Sequence, residues 1–146
     1  MRSMRPDIPC LSMLPLGALA ALAPVHAQEV EPAAEAAIQA VIADQMQAFR
    51  EGDAAAAFAF ASPMIQGMFG GDASRFGRMV ASGYPPIWQP GAVTFLGQRQ
   101  VEGQPVQRLM VAGPDGALHL FDYEMVEVEG GWRINGVFPV QGEAGA

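Results

Sequence analysis

The sequence contains no lysine and a single cysteine, Cys10. Because Cys10 lies near the N-terminus, the rest of the chain has no structural disulfide, no thiolate metal site and no cysteine nucleophile. The nucleophile motif G-x-S-x-G, the phosphate-binding loop and a zinc-type histidine pair are also missing. These absences favour a domain that is held together by apolar burial and that uses no metal and no cofactor.

Basic residues are scarce as well. Eight arginines stand against fifteen acidic residues, and the net charge of the chain is −7. Removing an N-terminal segment that carries Arg2, Arg5 and Asp7 takes away a net charge of +1, so the remainder carries −8. A chain this acidic repels phosphate backbones and anionic lipid surfaces. We therefore expect neither nucleic-acid binding nor adsorption to an anionic membrane.

The N-terminus has the parts of a secretory signal peptide. Two arginines precede an apolar stretch at residues 8–23, and a small-residue cleavage site ends at Ala27. The stretch is shorter than the roughly 18–20 residues that span a bilayer, and a proline and a glycine interrupt it. We predict a signal peptide over residues 1–27, cleavage between Ala27 and Gln28, and a periplasmic or secreted protein with no membrane span after cleavage.

Helical periodicity follows the predicted cleavage site. Apolar residues recur at three- and four-residue spacing over residues 38–49, which predicts an amphipathic helix after a flexible lead at residues 28–37. Gly52 is predicted to end this helix, and Asp53 to cap a second, alanine-rich helix over residues 54–61. The domain is therefore expected to begin with two helices joined at a tight corner.

Glycine and proline divide the next segment. A turn or helical fragment is expected at residues 64–71, followed by a third helix that Asp72 caps and Gly83 ends. The stretch at residues 83–90 contains three prolines, which remove the donors that a central strand needs. It is predicted to be an ordered extended loop.

Beyond this loop the apolar period changes to two, which is typical of strands. Short glycine-containing breaks divide the region, as hairpins require, and the third strand is long enough to carry a bulge. The four predicted strands occupy residues 93–101, 105–112, 118–128 and 132–140. Helices followed by an antiparallel meander predict an α+β fold, a cone-like, cystatin-like roll with helices packed on a curved four-stranded sheet. One domain at residues 38–140 and a disordered tail at 141–146 are expected.

Several short motifs occur in a fixed order: AFREGDAAAAFAFASP, GYPPIWQP, GPDG, YEM and GGWRINGV. Together they resemble the bacterial secreted family known as domain of unknown function 4864, over about residues 38–137. The order helix-GD-helix, then a meander ending in GWRI, is also similar to the wider nuclear-transport-factor-like or ketosteroid-isomerase-like cone fold. These resemblances imply a helix-lined cone able to enclose a pocket, and they imply no activity, since one fold hosts many.

The third predicted strand carries the candidate catalytic residues His119, Tyr123 and Asp122. Side chains alternate across a strand, so His119 and Tyr123 share one face while Asp122 lies on the other, unless a bulge intervenes. His119 is the only histidine after the predicted signal peptide and is the natural candidate for acid–base work near neutral pH. The alternative is a histidine whose hydrogen bonds are satisfied at the sheet surface or a pocket rim.

Asp122 and Glu124 share a face of this strand. Arg99 and Arg108 on the preceding strands are expected to form cross-strand ion pairs with them. The alternative is a carboxylate pair for acid–base work, and no motif transfers the tyrosine and two acids of ketosteroid-isomerase-like enzymes to this chain.

Aromatic side chains either line a ligand pocket or fill the core. The predicted pocket residues are Tyr84, Trp88, His119, Phe121 and Tyr123. The methionines beyond the signal peptide are interpreted as flexible gap-fillers of a core rather than as metal or oxidant targets.

The leading hypothesis is a non-catalytic exported domain that binds a small apolar or amphipathic ligand, or a partner protein. One alternative is a cofactor-free enzyme of the isomerase or hydratase kind. Another is an interaction module that forms a homodimer through the outer face of its sheet. An apolar pocket without titratable groups favours ligand binding, a pocket with a carboxylate beside His119 or Tyr123 favours the enzyme, and an apolar outer sheet face favours the interaction module.

Overall fold

The computed structural model describes residues 31–141. The predicted signal peptide, its cleavage site at Ala27 and Gln28, and residues 142–146 of the predicted tail lie outside the described residues. The helices of the described part are α1 (Pro32–Arg50), α2 (Ala54–Ala59), α3 (Pro63–Met68), α4 (Ala73–Gly83) and α5 (Pro85–Trp88). The strands are β1 (Val93–Val101), β2 (Gln104–Ala112), β3 (Leu118–Val128) and β4 (Gly131–Val140).

Helix α1 begins before the apolar periodicity does. It starts at Pro32, so the predicted flexible lead is helical from that residue on. Proline is tolerated at the first helical position because its missing N–H has no partner there. The alanines that follow favour helix, and Glu35 in the first turn complements the helix dipole. Ile38 and Ile42 then bury the apolar face.

A tight corner joins α1 to α2. Gly52 adopts a positive φ of 70°, and its N–H donates to the carbonyl of Phe49. Asp53 caps α2, because its carboxylate accepts a hydrogen bond from the N–H of Ala56 at 3.0 Å. Asp72 caps α4 in the same way. The predicted caps are therefore confirmed.

Helix α2 ends two residues earlier than predicted, because the chain turns there to meet the sheet. Ala61 forms an isolated parallel bridge to Ile134. The N–H of Ser62 donates to the carbonyl of Ile134, and the N–H of Ile134 donates to the carbonyl of Phe60, each at 2.8 Å. The hydroxyl of Ser62 then caps α3 by accepting from the N–H of Ile65 at 3.2 Å. The junction of α2 and α3 therefore lies along the edge of β4.

The extended loop predicted at residues 83–90 is wrong, because a one-turn helix lies within it. Pro85 and Pro86 occupy the first helical positions of α5, where their fixed φ suits the helix and their missing N–H groups cost nothing. The N–H of Trp88 donates to the carbonyl of Tyr84 at 2.9 Å.

The strands form an antiparallel meander in the order β1-β2-β3-β4, which confirms the predicted α+β class. Two bulges bend this sheet. One adds a residue to β1 between Phe95 and Gln98, and the other adds Asn135 to β4 opposite the step from Glu124 to Met125. The bulge allowed for in the third strand therefore lies in β4, and the side chains of β3 alternate without interruption.

The core lies between the helices and the inner face of the sheet. From β3, Phe121, Tyr123 and Met125 are buried on this face. The helices contribute an aromatic cluster whose neighbouring ring centroids lie 4.9 to 6.3 Å apart. Its members are Phe49, Phe58, Phe69 and Phe76. Within residues 31–141, no helix has the length and apolar character needed to cross a membrane.

Candidate functional site

Tyr84 belongs to the walls of two concave regions. The first, here called the methionine cavity, has a volume of about 340 Å³ and lies between α3, α4 and β4. The second, the histidine cleft, has a volume of about 480 Å³ and lies between α5 and the turn that joins β2 to β3. The hydroxyl of Tyr84 donates to the carbonyl of Val137 at 3.4 Å, which ties this shared wall to β4.

The methionine cavity is lined almost wholly by apolar side chains. Met64 and Met68 of α3 and Met79 of α4 line it while remaining 56%, 65% and 36% exposed. Its lining includes Phe76 and Phe69, two members of the aromatic cluster. The lining contains no carboxylate, no arginine and no histidine. The cavity thus offers apolar contacts, and side chains of the core form its floor.

These exposed methionines contradict the interpretation of the methionines as core fillers. Met46 and Met125 do fill the core, at 1% and 0% exposure. Helix α3, in contrast, buries none of its residues, since it is short and lies at the margin of the fold. The spacing of Met64 and Met68, four residues apart on one helix face, was the available signal for an open apolar surface.

Two amide side chains supply polar groups in the cavity wall. Gln45 is 3% exposed, and its Nε2 donates to the carbonyl of Ala57 at 3.0 Å. Asn135, the bulge residue of β4, accepts a hydrogen bond from the hydroxyl of Ser62 at 2.6 Å and donates to Glu124 at 3.4 Å. Both amides are neutral and held by the protein, so the polar part of the cavity carries no formal charge. Neither residue is among the site residues that the sequence predicts.

The histidine cleft brings together three of the predicted pocket residues, Tyr84, His119 and Phe121. The Phe121 ring centroid lies 6.4 Å from that of Tyr84 and 6.5 Å from that of His119. His119 Nε2 is 4.0 Å from Oδ1 of Asp115, whose side chain is 71% exposed. A contact this long and this solvated contributes little to stability. Four prolines form much of the remaining wall.

The other two predicted pocket residues, Trp88 and Tyr123, line neither region. The ring of Trp88 packs 5.9 Å from that of Phe49. Tyr123 is fully buried, and its hydroxyl has no hydrogen-bond partner within the described part of the chain. Burial raises the pKa of Tyr123 above its usual range, and neighbouring Tyr84 adds to this effect. Tyr123 is therefore held as a neutral phenol in the core.

Asp122 lies on the outer face of the sheet. Arg108 donates to both of its carboxylate oxygens, at 2.8 and 3.0 Å, and Arg99 donates at 3.0 Å. Burial alone raises the pKa of Asp122, but the hydrogen bonds from Arg108 and Arg99 outweigh burial and hold it below its usual value. The expected ion pairs are confirmed at Asp122, whereas Glu124 forms none within the described residues and accepts a hydrogen bond from Asn135 instead. His119 and Tyr123 face the opposite side of β3. No group of three or more His, Cys, Asp or Glu side chains between residues 31 and 141 is placed to hold a metal ion.

Comparison with protein families supports the family resemblance that the motifs indicate. The family model described as Domain of unknown function (DUF4864) matches residues 31–145. The chain belongs to this family. The DUF4864 match spans every described residue, so the cavity and the cleft both lie inside the family domain. No curated protein and no solved structure matches the chain significantly.

Proposed function

We propose that this DUF4864 protein is an exported, non-catalytic domain that binds a small, uncharged apolar or amphipathic molecule in the methionine cavity. The observation that carries the proposal is an open cavity of about 340 Å³ whose lining lacks carboxylates, arginine and histidine. Ligand pockets are concave, mostly apolar and roughly 300–1,000 Å³ in volume, with a few fixed polar groups. The methionine cavity has each of these properties.

The chemistry of the lining favours a neutral ligand. Transfer of apolar surface from water to the cavity contributes about 0.8 kcal/mol for each CH₂ group that is buried. An ionised carboxylate or ammonium would lose its hydration without gaining a charged partner. Gln45 and Asn135 provide neutral amides for one polar group of the ligand. A molecule with an apolar body and an uncharged polar end therefore suits the cavity best.

Two further features support the proposed cone fold and the proposed export. Helices packed on the inner face of a bulged meander, with a cavity between the two layers, are the arrangement expected of the nuclear-transport-factor-like cone. Export is supported by the signal-peptide pattern of residues 1–27.

The alternatives are supported less well. A pocket enzyme needs its acid, base and substrate in one place. His119 instead lies in the cleft, Tyr123 in the core and Asp122 on the outer face of the sheet. Homodimerisation through the outer face would place the Arg99–Asp122–Arg108 group in an interface core, where charged residues are normally depleted.

Fluorescence titration with N-phenyl-1-naphthylamine, an uncharged apolar probe, tests the proposal. We expect saturable binding to the unsubstituted protein, and a loss of affinity of about tenfold or more in Met68→Asp. The reason is that a ligand in the cavity would bury an unpaired carboxylate in this variant. Met68 is 65% exposed, so the substitution leaves the core intact.

Leu118→Asp is the matched control. Leu118 is 44% exposed, lies on the outer face of β3 and lines neither concave region, yet the variant gains the same charge. We expect its affinity for the probe to equal that of the starting protein. Absence of saturable binding, or equal losses in the two variants, would contradict the proposal.

A further inference from the structure

We propose that oxidation of Met64, Met68 and Met79 to sulfoxides switches the methionine cavity from a binding to a non-binding state. The inference rests on the proposed function, because it concerns the affinity of the same cavity. The three thioethers line one cavity from two helices, and each is open to solvent.

Exposure separates these methionines from the two that fill the core. Met64, Met68 and Met79 are 56%, 65% and 36% exposed, whereas Met46 and Met125 are 1% and 0% exposed. Oxidation of a side chain depends on access of the oxidant to the sulfur. A limiting oxidant therefore reaches the cavity thioethers before those of the core.

No thiol competes for the oxidant in the described part of the chain. Residues 31–141 contain no cysteine, and the single cysteine of the sequence falls in the predicted signal peptide. Cysteine and methionine are the side chains that take part in sulfur oxidation. In the folded domain, the exposed thioethers are therefore the first targets of a two-electron oxidant.

The reaction requires a hydroperoxide such as hydrogen peroxide. A lone pair on the thioether sulfur attacks the nearer peroxide oxygen, so that an S–O bond forms as the O–O bond breaks. Sulfur is oxidised by two electrons, and the leaving hydroxide takes the proton of the transferred oxygen and departs as water. The product replaces an apolar, flexible side chain with a polar one.

The lining of the cavity makes this change of polarity consequential. Its side chains are almost all apolar, so a sulfoxide oxygen finds few hydrogen-bond partners among them. A sulfoxide oxygen in this lining keeps its hydrogen bonds to water, and an apolar ligand has to displace that water to bind. The fold itself is spared, since α3, which carries Met64 and Met68, buries none of its residues, and the side chain of Met79 on α4 is itself 36% exposed. The change is reversible, because sulfoxide reductases restore the thioether.

The test combines peptide mass spectrometry with probe titration during limited hydrogen peroxide treatment. We expect sulfoxide at Met64, Met68 and Met79 before Met46 and Met125, and an affinity for N-phenyl-1-naphthylamine that falls about tenfold or more. Treatment with methionine sulfoxide reductases is expected to restore the affinity.

Two variants assign the effect to the cavity. In M64L/M68L/M79L, whatever its starting affinity, we expect the same affinity before and after peroxide. In Met110→Leu, which changes a methionine that lines neither concave region, we expect the wild-type loss.

The outcomes separate this inference from the proposed function. Equal oxidation of the exposed and the buried methionines overturns the switch, as does selective oxidation with unchanged affinity. Both of these results leave probe binding, and hence the proposed function, in place. Failure of the untreated protein to bind the probe overturns the proposed function and the switch together.

Discussion

The methionine cavity and the histidine cleft share Tyr84 but differ in how they pack against the core and in the charge of their lining. The cavity is built against the aromatic cluster of the core, and its lining has no charged residue. The cleft lies among prolines, beside an exposed Asp115 and a histidine that is 37% exposed. The apolar lining and the charged side chains are thus found in different places.

Phe76→Ala tests whether the cavity rests on the core, and the largest effect is expected here. Phe76 is 6% exposed and packs 4.9 Å from Phe58, so its truncation is expected to lower the free energy of unfolding by about 3–5 kcal/mol. Urea unfolding followed by tryptophan fluorescence measures the loss. Pro139→Ala in the exposed wall of the cleft is the paired variant, with an expected change below about 0.5 kcal/mol. Similar losses of unfolding free energy in the two variants would show that the cavity does not rest on the core any more than the cleft does.

Asp122→Asn tests whether this carboxylate belongs to the sheet surface rather than to a catalytic site. The variant weakens charge-assisted hydrogen bonds to Arg108 and Arg99, and an unfolding free energy lower by about 1–2 kcal/mol is expected at pH 7. The pKa of Asp122 is lower in the folded state than in the unfolded state. Its stabilisation is therefore present above the unfolded value of about 3.9 and is lost as pH falls through the folded pKa.

Urea unfolding of Asp122→Asn and of the starting protein across pH 7 to pH 2 measures this dependence. We expect the two stability curves to converge as the pH falls. Curves that stay parallel over the whole range would show that the ion pairs contribute nothing.

His119→Ala carries the smallest expected effect. His119 lines only the cleft of the two regions, so affinity for N-phenyl-1-naphthylamine is expected to change by less than about twofold. Titration beside Met68→Asp makes the comparison direct. A tenfold loss in His119→Ala would mean that the cleft and the cavity act as one site.

The sequence predicted those parts of the fold that depend on neighbouring residues. Asp53 and Asp72 cap helices because a short carboxylate side chain reaches the free N–H groups of the next turn. The strands follow from their period of two and their glycine-containing turns. The placement of His119 and Asp122 on opposite faces of β3 follows from the same alternation.

The candidate site was less predictable, because it depends on what the chain leaves uncovered. Apolar periodicity marks Met64 and Met68 as apolar but does not show whether another element covers them. The bulge at Asn135 depends on pairing with β3, which a separate segment of the chain forms. Each is a contact between distant segments, and local pattern carries no information about such contacts.

The hydrogen bonds between the α2–α3 junction and Ile134 also bear on whether other chains can pair with β4. β4 is an edge strand, and such strands present unpaired backbone groups that recruit other chains. Phe60 and Ser62 engage both backbone groups of Ile134, and Tyr84 engages the carbonyl of Val137. A strand from another molecule therefore meets backbone groups that are already bonded at Ile134 and Val137, so the helical junction hinders strand addition along this part of β4.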